Sequence, residues 1–375
     1  MALNIFSNSF VVFLLVLLSY SPNGVLVRSA PHYSALPKSD ADIVEFALNL
    51  EYLEAEYFLY GALGYGLDVV NPNLTQGGPT PCGAKIAHLS PIIKDVTLQF
   101  ALQEVGHLRV WDYRRNRWCQ DGRLKVYVRG SAPRYFGSKS SVPNMARFSP
   151  CLVRLRVTNP YQIMINDISI FHGFIEAIKN WVKGFPRPLL NISSETFGEI
   201  IDNAFGEKLN PSFDPYANDI NYLIASYAIS YVGLNGYVGA NPLLKSTNAR
   251  SLIASLLGVE SGQDAVIRAL LYERWNQKVT PYTHTVAEFT NAISGIRNKL
   301  GRGGLKDEGL LVSKELGAEA NVTGNILAGN SYSVSYARTP QEILRIVYGT
   351  SHEGVPGGFY PNGGDGDIVK SFLKN

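Results

Sequence analysis

Glu104 and His107 stand three residues apart in Leu98-Gln99-Phe100-Ala101-Leu102-Gln103-Glu104-Val105-Gly106-His107. Counted in helical steps, Ile93, Val96, Phe100, Glu104 and His107 share one face. A carboxylate and an imidazole on the apolar side of a helix are costly unless something satisfies them. A Glu-x-x-His pair is also the unit from which carboxylate-bridged metal sites are built in four-helix bundles. The motif is short and recurs by chance, so its weight depends on whether other helices bring buried acids to the same place. Two do. Glu54 falls on a stripe with Ile43, Ala47, Leu50 and Tyr57, and Glu51 borders that stripe as the second choice. Glu260 falls on a stripe with Ile253, Leu257, Asp264 and Ile267. Carboxylate and imidazole donors suit Mn, Fe or Zn, and a cation removes the repulsion among clustered acids. The alternative for Glu104 and His107 is a hydrogen-bonded buried pair, with Tyr57, Tyr227 and Tyr231 as candidate donors.

These residues need helices to carry them, and helix signals dominate. Ser39 can cap a helix from Asp40, and Ser90-Pro91 opens a second. Asp214-Pro215 is expected to open a third, and a fourth is expected from about Ala249 to Trp275. Shorter helices are predicted over 194–205, 286–300 and 340–348, the last with Thr339 and Glu342 as a capping box and Gly349 beyond its end. Strand-like alternation is nearly absent. Four long helices with long connections predict an all-α bundle.

Composition is that of a globular chain: 375 residues, 46% hydrophobic, 17% charged. The net charge of +3 is too small to point to a nucleic-acid partner. It is also uneven. Residues 110–176 hold 11 Lys/Arg against 4 Asp/Glu, and the remainder holds 23 against 27. This block shows little helical period. With it removed, Arg109 meets Ala177, and the apolar stripe of the second helix continues through Ile178 and Trp181. The block therefore reads as a disordered insertion, better explained as a retained intron translated in frame than as a basic surface loop.

The apolar run from Phe10 to Leu18, followed by small residues and Pro22, reads as a signal peptide over 1–29, cleaved between Ser21 and Ala30. It is shorter than the roughly 20 residues that span a bilayer, and no later segment replaces it, so no transmembrane anchor is expected. Asn73, Asn191 and Asn321 head glycosylation triplets that fit secretion. Cys82, Cys119 and Cys151 are too few for a disulfide scaffold, and Cys82 reads as a free thiol. Glu45 and Glu56 read as solvated charges. His32, His88, His172, His284 and His352 have no ligating spacing. The C-terminal extension over 301–375 is Gly-rich, and its clusters Gly301-Arg302-Gly303-Gly304, Gly357-Gly358 and Gly363-Gly364 read as turns and flexible coil.

Several longer stretches occur in order: Asn49-Leu50-Glu51-Tyr52-Leu53-Glu54-Ala55-Glu56, Gln103-Glu104-Val105-Gly106-His107-Leu108-Arg109, Gly184-Phe185-Pro186-Arg187-Pro188, Phe213-Asp214-Pro215-Tyr216, Tyr237-Val238-Gly239-Ala240-Asn241-Pro242 and Gly258-Val259-Glu260-Ser261-Gly262-Gln263-Asp264. On these the chain resembles the plant desiccation-related proteins with a ferritin-like domain, skipping 110–176. The resemblance implies a ferritin-like four-helix bundle in two parts, 38–109 and 177–300, secreted to the apoplast or cell wall and associated with drying stress. It also implies a metal site at Glu54 (or Glu51), Glu104, His107 and Glu260, for Mn or Fe if a metal is bound at all. The wider group's second half-site is damaged here, with Ser230 where a Glu is expected and Gln263 where a His is expected. That damage favours a protective, non-catalytic role toward an unknown extracellular or wall component. The alternative is a metal-dependent oxidoreductase acting on oxygen or peroxide.

Overall fold

A computed structural model of the protein describes residues 38–111, 182 and 184–373. The expected signal peptide, all of the basic block beyond Trp111, and Ile178 and Trp181 lie outside the described residues.

The described chain is helical. Its long helices are α1 (Lys38–Leu63), α2 (Pro91–Trp111), α4 (Asp219–Ala240) and α5 (Thr247–Tyr272), with α3 (Ser194–Phe205) between α2 and α4. They are followed by α6 (Val286–Gly301), α7 (Pro340–Tyr348) and α8 (Asp367–Leu373). Among the described residues, β-pairing is confined to isolated bridges such as Cys82 with Asn191. No helix among the described residues is long and apolar enough to cross a membrane.

Helices α1 and α2 pack as one close pair, α4 and α5 as another, and α1 joins the pairs through α4. The sequence accounts for α4 at the centre: from Asn221 to Asn235 every residue is buried, so it is apolar or small on all sides rather than striped. Its contact with α1 is fixed by Tyr57 and Tyr222, whose rings stack at 4.8 Å and whose hydroxyls each donate to the other's backbone carbonyl, at 3.2 and 3.1 Å. Gly61 permits this approach, since a Cβ there would lie 2.1 Å from the Tyr222 hydroxyl.

Helix ends follow their capping chemistry. Thr339 and Glu342 form the expected capping box, and Gly349 closes α7 at φ 68°. The third long helix departs from expectation. It starts at Asp219 and is capped by Asn218, whose Oδ1 accepts from Asn221 N at 3.0 Å. Asp214 instead holds the preceding turn, accepting from Tyr216 N and from the Ser194 hydroxyl.

Beyond Gly301 at the end of α6, the Gly clusters of the tail fall in bends, turns and loops, and side chains of the bundle hold the segments between them. Arg268 of α5 donates to the carbonyls of Glu308, Gly309, Asn325 and Ile326, and Arg297 of α6 grips Asp307. Tyr360 and Asp365 both bond to Asn49 on α1. Glu56 is likewise no solvated charge. It is fully buried against Arg187, which also grips Asp68 at 3.0 Å and the Pro79 carbonyl at 2.8 Å.

The three glycosylation triplets differ in presentation. Asn321 and Thr323 are both exposed. Asn73 is exposed, but Thr75 is buried and its hydroxyl donates to Pro72 O. Asn191 is locked between Phe359 and Ser193, and Ser193 caps α3. Glycopeptide mapping of protein from a secreting host is expected to find the highest occupancy at Asn321 and the lowest at Asn191.

Candidate metal centre

Helices α1, α2 and α5 bring four side chains to one point. One ligand atom from each of Glu51, Glu104, His107 and Glu260 lies within 4.8 Å of the others, and all four residues are buried. His107 Nδ1 is the hub: 3.0 Å from Glu51 Oε2, 3.0 Å from Glu104 Oε2 and 3.6 Å from Glu260 Oε1. In this arrangement the imidazole proton stands where a cation would screen three acids.

Glu51, the second choice from sequence, thus reaches the hub. Glu54 lies one turn further along α1, equally buried, and interacts electrostatically with Glu104, Glu51 and Asp264 rather than with the imidazole. Stripe counting preferred Glu54 because it assumes one buried face, whereas α1 is buried on every side from Phe46 to Leu59.

The second half-site is occupied by different chemistry. Gln263 is buried, and its Nε2 donates to Glu104 Oε1 at 2.6 Å and to Gln103 Oε1 at 3.0 Å. Ser230 is fully buried. Gly233, one turn along α4, leaves open the space beside the acids: a Cβ there would come within 3.3 Å of Glu54 Oε1 and 3.8 Å of Glu260 Oε2. Tyr237 supplies a hydroxyl to Glu51 Oε1, a contact that sequence reasoning missed. The tyrosines expected to do this work elsewhere: Tyr57 bonds to Tyr222 O, and Tyr227 to Ser294 and Glu308 O. Among the described histidines, His88, His284 and His352 are outside the cluster.

Within the donor set the unmet valence is that of Glu260, and further orphan polar atoms lie around it. Both oxygens of Glu260, Glu54 Oε1, Ser230 Oγ and Gln263 Oε1 are buried without a hydrogen-bond partner among the described residues. Native folds rarely leave such groups unsatisfied, and each costs about 1–3 kcal/mol when they do. Three carboxylates and an imidazole are the donors that hard and borderline cations take. Tyr237 and Gln263 orient two of these carboxylates from outside, the support that metal sites need.

The electrostatics agree. Burial raises Glu260 well above the usual carboxylate range, and Glu54, Glu104 and Glu51 push it further. Glu54 is raised well above that range by burial and by Glu104, Glu51 and Asp264. Burial takes Glu104 to about 7 despite His107. Glu51 is lowered, since His107 and its hydrogen bonds outweigh burial. Burial disfavours the His107 cation, but Glu104 and Glu51 overcome it and push the imidazole up to about 12.

The sign of the resulting pH dependence follows. Glu54, Glu104 and Glu260 keep protons that the unfolded chain releases near its ordinary carboxylate value. The metal-free fold therefore loses stability as pH rises through that value toward about 7. His107 acts in the same direction: its contribution is full below the ordinary imidazole value and fades toward about 12. Glu51 opposes them, its contribution being lost only on acidification. The unfolding free energy of metal-free protein, from urea denaturation, is expected to fall between about pH 5 and about pH 8 by an amount on the order of 1–3 kcal/mol. Added Mn2+ should reverse the trend, because cations displace those protons more easily at high pH. A flat profile without metal would contradict this account.

Comparison with known proteins bears on the fold family of the chain. The family model described as "Ferritin-like domain" matches residues 39–113 and 171–273. The chain is 45% identical over 340 residues to the ferritin-like catalase Nec2 of Nesocodon mauritianus, covering 91% of this chain and 88% of the relative. It is 44% identical over 326 residues to desiccation-related protein PCC13-62 of Craterostigma plantagineum, covering 87% and 83%. No solved structure matches at a significant level.

Proposed function

The chain belongs to the plant desiccation-related proteins with a ferritin-like domain, and from that membership we propose that it binds Mn or Fe at Glu51, Glu104, His107 and Glu260 and disproportionates hydrogen peroxide there. The observation that carries this reading is the convergence of four buried ligand atoms on one point, with both Glu260 oxygens unpartnered. The relation to a ferritin-like catalase supports the choice of substrate. One peroxide takes up two electrons and two protons to give two waters, and a second gives up the same to become dioxygen, so no other reactant is required. A Mn or Fe ion would supply the electron exchange. The chain's residues would hold that ion, while their burial excludes bulk water and keeps exchangeable protons on Glu54 and Glu260. Tyr237 fixes Glu51, and Gln263 fixes Glu104.

Oxygen release from peroxide by the Mn- or Fe-loaded protein, followed with an oxygen electrode, tests this. Catalytic release, abolished by chelation, is expected. A second reading has its own support: Ser230 and Gln263 leave the wider group's second metal position without its usual ligands, and PCC13-62 is named for desiccation. Metal-loaded protein that releases no oxygen would favour that protective, non-catalytic role.

Secretion and the insertion belong to the same proposal. The apolar run over 10–18 supports export, and an N-terminus between residues 22 and 30 in protein from extracellular fluid is expected. The interruption of the family match between 113 and 171 supports reading the basic block as inserted. Transcripts joining Arg109 directly to Ala177 are expected to dominate, and a dominant message carrying the block would overturn that reading.

A further inference from the structure

Beyond the four candidate ligands, α5 carries a second buried polar row. Glu260, Asp264 and Arg268 follow at four-residue steps along one face, and all three are buried. Asp264 lies between the centre and a group of arginines: it acts on Glu54 on one side and is acted on by Arg268 and Arg297 on the other. The guanidinium carbons of Arg268 and Arg297 lie 5.8 and 5.5 Å from the Tyr231 ring centre. Arg297 Nη2 donates to Asp307 Oδ1 at 3.0 Å, its Nε lies 2.7 Å from Oδ2 as an ion pair without closing a hydrogen bond, and Arg338 Nη2 is 3.9 Å from the same Oδ2. Arg268 donates to the Glu308 carbonyl, and the Glu308 carboxylate accepts from half-exposed Tyr336 at 3.2 Å.

Polar atoms go unmet all along this row. Glu260 Oε1 and Oε2, Ser230 Oγ, Asp264 Oδ1, the Tyr231 hydroxyl, Arg268 Nη1, and Arg338 Nε and Nη1 are buried without a hydrogen-bond partner among the described residues. Tyr231 faces the Asn235 amide but closes no bond of ordinary geometry with it. Donors from Ser230, Tyr231 and the arginines mingle with acceptors from Glu260 and Asp264. Waters satisfy such a mixture, because each both donates and accepts. An apolar occupant would leave every group unmet, and the guanidiniums would repel a second cation.

We propose that a file of ordered waters runs from Glu260 past Asp264, Tyr231 and Arg268 to the Arg297–Asp307–Arg338 cluster, and that it connects the metal centre to the Glu308–Tyr336 surface for protons. The purpose of the file rests on the metal-centre reading, whereas its existence does not. Hydrogen-bonded waters pass protons among themselves, so Asp264 is a positioning residue that anchors the file without changing charge. The groups that face it are Glu260 and Arg268 on its own helix, Glu54 on α1, Tyr231 on α4, Arg297 on α6, and Asp307 beyond α6.

Crystal structures of wild type, Asp264→Asn and Asp264→Leu test the file. Waters within hydrogen-bond reach of Asp264 Oδ1, Tyr231 and Arg268 Nη1 are expected in wild type, retained in the Asn variant and lost in the Leu variant. A dry row closed by direct side-chain contacts would overturn the proposal. Proton release on Mn2+ loading, followed by stopped-flow with a pH dye, tests the connection. The Asn variant should match wild type within about twofold, and the Leu variant should release the same number of protons about tenfold more slowly. Equal rates in all three would overturn the proton role. Should Asp264→Leu not fold, Tyr231→Phe takes its place with the same slowing expected. If wild type binds no Mn2+, the metal reading falls and the water positions alone decide whether the file exists.

Discussion

His107→Ala should release the metal from a protein that remains folded. In wild type the imidazole Nδ1 is the point that Glu51, Glu104 and Glu260 share. Without it no neutral donor is left among three acids, and cation affinity should fall by about 100-fold or more, judged against the 10–100-fold typical of supporting residues alone. Dialysed variant should hold less than about a tenth of the wild-type metal, and peroxide turnover should fall in proportion. Helix content by circular dichroism should be unchanged, because Glu104 and Glu260 are already raised by burial and can go neutral. The check is elemental mass spectrometry beside the oxygen assay. Full metal occupancy in the variant would remove His107 from the ligand set.

Arg187→Met should be the most destabilising of the substitutions considered, at about 3–5 kcal/mol, since it strands a buried acid. Glu56 is fully buried, and burial already lifts it to about 7 with Arg187 opposing. Losing the guanidinium also frees Asp68 and the Gly78 and Pro79 carbonyls, which tie the loop after α1 to the bundle. Urea denaturation should show the loss, and the double variant Glu56→Gln with Arg187→Met should recover part of it. Metal content should be unaffected, which separates this structural network from the centre. A loss below about 1 kcal/mol, the worth of an exposed pair, would contradict the burial argument.

The contrast between Glu56 and Glu104 shows what the sequence could reveal. Where a helix keeps a polar face, local signals suffice: Ser90-Pro91 opens α2, Thr339 and Glu342 box α7, and Glu104, His107 and Glu260 fall on buried stripes. Where a helix is buried on every side, periodicity carries no information about direction. Stripe counting therefore ranks Glu51 and Glu54 by a face that α1 does not have, and it sends Glu56 to solvent. Tyr237 escaped for the same reason, since α4 is nearly all buried. Arg187 and Arg268 are paired with groups distant in the chain, and no local pattern announces such partners. The tail's order has the same origin: Asn49 and Arg268 hold it, and both lie far upstream.

Anomalous X-ray scattering from crystals of Mn- or Fe-loaded protein tests the central claim most directly, because it places the ion independently of any activity. The account predicts a peak bounded by Glu51, Glu104, His107 and Glu260, with the His107 contacts to Glu51 and Glu104 opened to admit it. Fully loaded crystals with no peak there, and with His107 still bonded to both carboxylates, would show that the cluster is a structural relic.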